Sequence, residues 1–168
     1  RQARRTLVTH DGGSHWTQLP SPCMTTVPDG LLRSAGHGAV WELCPLPGRA
    51  GTEIDSSTGG RYWFRGYFPR NWGGIKDIEP VSARSVWAVT DNGVVGVSND
   101  HGFTWHRVWS AGSYSPRPHL AIVSPRSGAA ASVFATQTFG RLTRVVEYRT
   151  HDAGATWTVG YVPVPSQK

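Results

Sequence analysis

Two stretches of the sequence crowd aromatic rings beside guanidinium groups. Arg65, Tyr67, Phe68, Arg70 and Trp72 fall within eight residues, and Tyr114, Arg117 and His119 within six. Such rings stack on sugar faces or on other apolar surfaces, and an arginine fork holds a carboxylate through two parallel hydrogen bonds. Together they form a candidate surface for a glycan, a peptide or a protein. The plainer alternative is that the rings close the ends of sheets while the arginines stay solvated. Asp77 and Glu79 stand two apart, so on a strand their carboxyls share one face and could work as an acid/base pair, or they could simply be polar residues lining a channel.

Other chemistry finds little footing. No Gly-x-Ser-x-Gly string marks a nucleophile, and no Gly-rich loop ending in Lys-Ser/Thr marks a phosphate site. No cofactor is therefore expected. The seven histidines lack the spacing of a metal-binding set: His10, His101 and His151 are separated by 50 residues or more, and His15, His37, His106 and His119 form no HxH or HxxxH pair. The expectation is no metal.

The elements that must position these residues follow from composition. A chain of 168 residues suits one domain. Twenty Gly, 12 Pro and 8 Trp make it too aromatic for disorder and too punctuated for long helices, which points to many short strands. The formal charge is +6, but the basic residues are spread along the chain and only Arg1, Arg4 and Arg5 cluster, which argues against a nucleic-acid partner. The uncharged stretch Ser127 to Phe139 is rich in Ala, Thr and Gly, so no membrane-spanning segment is expected.

A short pattern occurs four times, each copy ending in tryptophan. Asp11, Thr58, Asp100 and Asp152 hold its fixed position, at intervals of 47, 42 and 52 residues, and Trp16, Trp63, Trp105 and Trp157 follow five residues later. An Asp carboxylate accepts bonds from backbone N–H groups just ahead, glycine supplies positive φ, and a Ser or Thr two residues earlier adds a local bond. The pattern reads as a self-closed hairpin turn, with the ring carried onto the following strand and buried between sheets. Thr58 should cap more weakly than Asp, and Ala153 replaces the first glycine of the fourth copy. Residues that vary in this way read as structural.

The four copies resemble the Asp-box (BNR, sialidase-type) repeat, Ser/Thr-x-Asp-x-Gly-x-Thr-Trp, of the bacterial secreted type. The resemblance implies an all-β propeller whose boxes join the third and fourth strands of each blade on the face away from the ligand. A sialidase would also need an arginine triad, a Tyr–Glu nucleophile and an Asp; these are not recognisable, and the family's Phe-Arg-Ile-Pro motif is absent. The nearest strings are Phe64-Arg65-Gly66 and Phe68-Pro69-Arg70.

Placing strands around the boxes gives an outer hairpin over 1–20 and blades over 21–68, 69–110 and 111–165. Three blades and half of another would be completed by a segment upstream of Arg1 or by a partner chain. The same placement sets Cys23 and Cys44 at neighbouring strand ends, where a disulfide would indicate an oxidising, extracytoplasmic compartment. The expected function is non-catalytic binding on the face opposite the boxes. The alternative is the C-terminal part of a glycoside hydrolase whose main catalytic residues lie upstream.

Overall fold

The computed structural model describes residues 5–9, 11–23, 31–36, 38–45, 52–110, 130–139 and 142–162. The chain forms antiparallel sheets of a partial β-propeller. Blade one is the hairpin β1 (Arg5–Val8) and β2 (Thr17–Pro20). Blade two is four-stranded, from β3 (Leu31–Gly36) through β4 (Ala39–Pro45) and β5 (Thr52–Thr58) to β6 (Trp63–Tyr67). Blade three repeats that order with β7 (Ile75–Pro80), β8 (Val86–Thr90), β9 (Val94–Ser98) and β10 (His106–Ser110). Blade four shows β11 (Ala131–Phe139), β12 (Leu142–Thr150) and β13 (Thr158–Val162), and the segment ahead of β11 from which the blade's first strand is expected, 111–129, lies outside the described residues. Among the described residues the helical structure is one 3-10 turn, Arg70–Trp72.

Alternation along the strands sends one set of side chains into each joint between blades. Trp41, Leu43, Ile54 and Phe68 of blade two and its exit pack on Ile78, Val86 and Ala88 of blade three. On its other face blade three presents Trp87, Val89, Val95 and Val97 to Ala131 and Val133 of blade four. Trp41 and Trp87 are fully buried, and truncating either would cost about 3–5 kcal/mol.

The repeat closes its hairpins as the sequence indicated, in three copies of four. The Asp11, Asp100 and Asp152 carboxylates each accept the backbone N–H four residues on at 2.9 Å, from His15, Thr104 and Thr156. Thr9, Ser98 and Thr150 each donate a hydroxyl to the Asp and accept the N–H of Gly13, Gly102 or Gly154. Asp11 is held at about 2, by the His15 N–H first and then by the His15 ring and Thr9. Asp152 is also held at about 2, by the Thr156 hydroxyl and N–H.

The second copy differs from expectation. Thr58 makes no capping bond; the strand pairing runs on to Thr58, Ser57 Oγ donates to the Tyr62 carbonyl, and Gly59 and Gly60 turn the chain at φ 75° and 70°. The loop between the last paired residues is only Thr58 to Tyr62. Its counterparts run Thr9 to Trp16, Ser98 to Trp105 and Thr150 to Trp157.

The tryptophans also need correction. Trp63 alone begins a strand; Trp105 and Trp157 sit just before theirs, half-buried against the preceding blade. Trp157 donates from Nε1 to the carbonyls of Val108 and Gly154. Trp16, expected to be buried, is 58% exposed, because none of the described residues forms a blade on its outer side.

Three of the four turns press the glycine two residues after the fixed position onto the preceding blade. A Cβ built at Gly60 would lie 2.6 Å from Leu19 Cδ1, and one at Gly154 would lie 2.5 Å from Val108 Cβ. Between blades two and three glycine meets glycine: a Cβ at Gly66 would lie 2.5 Å from the Gly102 carbonyl oxygen, which also accepts the Tyr67 N–H at 3.1 Å. Backbone cannot move aside as a flexible side chain can. Gly66→Ala should therefore destabilise the protein by about 1–3 kcal/mol, lowering the melting temperature by roughly 2–4 °C per kcal/mol in calorimetry. An unchanged melting temperature would show that the joint yields.

Candidate functional site

β5 divides its side chains between two environments. Ile54 enters the core against blade three, so Glu53 and Asp55 face the opposite way, towards blade one. Register completes two rows across this face: Glu42, Asp55 and Arg65 in one, and Cys44, Glu53 and Tyr67 in the other. Ser21, just after β2, donates its hydroxyl to Glu42 Oε1 at 2.9 Å. The Cys23–Cys44 disulfide closes the end of the face remote from the repeat turns.

Three carboxyls are thus gathered under cover, with Asp55 fully buried and Glu42 and Glu53 nearly so. Arg65 answers them, its Nε 3.0 Å from Glu53 Oε1 and 3.8 Å from Asp55 Oδ1. One guanidinium shared between Glu53 and Asp55 does not offset the burial of both. Burial pushes Asp55 up to about 8, with repulsion from Glu53 adding to it and Arg65 opposing. A hydrogen bond shared with Glu53 favours the protonated form, and Asp55 Oδ2 also lies 3.4 Å from Cys44 Sγ, which as a disulfide sulfur can only accept. Cys44, Glu53 and Asp55 offer atoms within 4.8 Å of one another, the spacing of a cation site. The donor set fits poorly, because the sulfur is bound to Cys23 and the Arg65 guanidinium already occupies Glu53.

The residues singled out in the sequence divide. Arg65 and Tyr67 meet at this face, both more than half exposed. Arg70 is exposed on the 3-10 turn. Trp72 instead packs inward, edge-on to Phe68 with centroids 5.6 Å apart and with its ring over Gly96. Tyr114, Arg117, His119, His10 and His37 lie outside the described residues. Asp77 and Glu79 share a face, but Asp77 is held by Arg33 at 3.0 Å, and burial followed by Asp77 raises Glu79. His101 bonds Ser56 at 2.9 Å and stacks on Phe64, and His15 pairs with Asp11.

Glu42, Glu53 and Asp55 were not singled out from the sequence. Their signal was an acidic residue at alternate positions beside apolar neighbours, Glu42-Leu43-Cys44 opposite Glu53-Ile54-Asp55. Reading it requires the strand register, which the loop between β4 and β5 conceals.

No protein-family model matches the chain, and no curated protein sequence does. Among solved structures it is similar to the GH74 xyloglucanase from Xanthomonas campestris, with 17% identity and a TM-score of 0.46, over 78% of this chain and 22% of that one. It is also similar to the α-L-arabinofuranosidase Arb93A from Fusarium graminearum in complex with an iminosugar inhibitor, with 14% identity and a TM-score of 0.46, over 79% and 47%. The chain spans less than half the length of either.

Asp55 gives a pH signature with a definite sign. Its folded pKa is raised, so the folded state holds a proton that the unfolded chain releases near 3.8. Its contribution to stability is complete below that value and is lost as pH rises towards about 8. Urea midpoints should fall across this window, and Asp55→Asn, neutral throughout, should flatten the fall. Equal slopes for the two proteins would mean that Asp55 is ionised in the fold.

Proposed function

We propose that the chain is part of an extracytoplasmic propeller of the Asp-box type that binds a glycan, and that Tyr67 and Arg65 receive it at the rim of blade two remote from the repeat turns. One observation supports this most directly: Tyr67 is 57% exposed on the same face as a guanidinium whose Nε is anchored on Glu53. The ring offers a stacking face, and the anchored guanidinium offers its remaining N–H groups in a fixed direction. Arg65 is already engaged by Glu53 with Asp55 behind it, which disfavours an acidic ligand at this rim, so a neutral, hydroxyl-rich sugar suits it better than a carboxylate. A peptide or protein ligand is the less favoured choice here. The disulfide supports an oxidising compartment, and among the described residues no helix is long and apolar enough to cross a membrane.

Titration calorimetry with neutral and sialylated oligosaccharides tests the reading. Neutral sugars should bind more tightly, and Tyr67→Ala should weaken them about tenfold, the loss of one stacked ring, without changing the melting temperature. Indifference of all sugars to Tyr67→Ala would remove this site.

A second reading is favoured by the Glu53–Asp55 pair. A carboxyl that keeps its proton beside a second, ionised one is the pairing of protonation states that glycoside hydrolysis draws on. Release of nitrophenol from aryl glycosides, including a sialoside, and its abolition by Asp55→Asn would replace binding with catalysis.

A further inference from the structure

The joints between blades follow one rule that β13 also obeys, with no partner among the described residues. The receiving residue on each outer strand is the third after the repeat tryptophan. Leu19 follows Trp16 and takes Gly60; Gly66 follows Trp63 and takes Gly102; Val108 follows Trp105 and takes Gly154. By the same count, Gly160 follows Trp157. Register places Gly160 opposite Glu147, on the face turned away from Val146, Tyr148 and blade three. It therefore looks outward from the end of the arc, as Gly66 looks towards blade three.

Gly160 has no local reason to be glycine. A Cβ built there would meet nothing within 4 Å, and its φ is not in the left-handed region. A glycine inside a strand weakens it, and it often marks a place where another backbone comes close. Gly66 shows that use inside this chain, with the Gly102 carbonyl where its side chain would be. Even the neighbours repeat: Trp63 and Trp157 are each followed by two residues, Gly and Tyr.

At the other end of the arc the matching half is also unengaged. Gly13 occupies the position of Gly60, Gly102 and Gly154, yet a Cβ there would meet only its own Trp16. Trp16 is 58% exposed, whereas its counterpart Trp157 bonds the carbonyl of Val108 on the strand it docks against. Leu7 beside it is 58% exposed, and every residue of β13 is exposed.

We propose that Gly160 is the receiving position for the first repeat turn, Asp11 to Trp16, of a second copy of this chain. Copies would then join head to tail through the contact that already joins blades within one copy. The interface is heterologous, the first turn of one copy on β13 of the next, so it leaves one end of each kind free and continues until a ring closes. Val162 and the Arg149–Glu147 ion pair border the position and supply an apolar contact with a polar rim. This inference is independent of the glycan reading, which concerns blade two.

Light scattering over a concentration series tests it. The intact chain should rise from its 18.3 kDa monomer mass with concentration. Gly160→Arg, which puts a long charged side chain where the existing joints present Leu19, Gly66 and Val108, should stay monomeric with unchanged circular dichroism, and so should Trp16→Ala, which removes the inserting ring. Mixed in equal amounts, the two variants should form a dimer and stop, because each keeps the end the other lacks. A wild-type chain that stays at monomer mass overturns the proposal, as do variants that assemble like wild type or a mixture that remains monomeric.

Discussion

A turn glycine laid against the outer strand of the preceding blade is the contact on which the rest of the arc depends. It brings the sheets close enough for Trp41 and Ile54 to meet Ala88, and for Trp87 and Val97 to meet Val133. Any side chain at Gly60, Gly102 or Gly154 would hold the sheets apart and leave both apolar faces underpacked. The recurring geometry of the Asp carboxylate and the Ser or Thr hydroxyl in the other three copies serves the same end, fixing the turn and the place of its glycine. The repeat is thus a fastening device between sheets as much as a way to reverse the chain.

Loss of the aspartate at one fastening has effects well away from the turn. With Thr58 in its place, the second hairpin closes over a shorter loop, and the strand before it meets its partner in a different phase. Eight residues before the repeat tryptophan, Val97 faces the following blade, whereas Asp55 faces the preceding one. A shift by one residue exchanges the two faces of a strand. The acidic residues of β5 are therefore gathered on the side of blade one, where Glu42 from β4 and Arg65 from β6 join them, rather than against the apolar wall of blade three.

Much of this was legible in the sequence, and the limits have physical causes. The turns could be read because their hydrogen bonds run between residues two to four apart, which spacing alone reveals. The disulfide followed from strand order, since Cys23 and Cys44 belong to ends that an antiparallel sheet brings together. The carboxyl cluster was hidden because it depends on which residues of β4 and β5 stand opposite one another, and the loop joining those strands does not disclose that register. Trp16 was misread because a ring is buried by its neighbour, and its own segment cannot show whether a neighbour is there. Trp72 resembled a ligand platform in the sequence until the space over Gly96 showed where its ring belongs.

The disulfide also determines how the chain would carry tension. It links residues 21 apart, bypassing β3 and most of β4. A pull applied at the two ends passes from Cys23 directly to Cys44, so the segment between them bears no load and cannot be drawn out. At about 3.4 Å per residue, roughly 70 Å of contour stays locked in blade two while the remaining strands extend. Blade two must then yield from its β5–β6 side, which makes the hairpin with the shortened repeat turn the part of that sheet exposed to force.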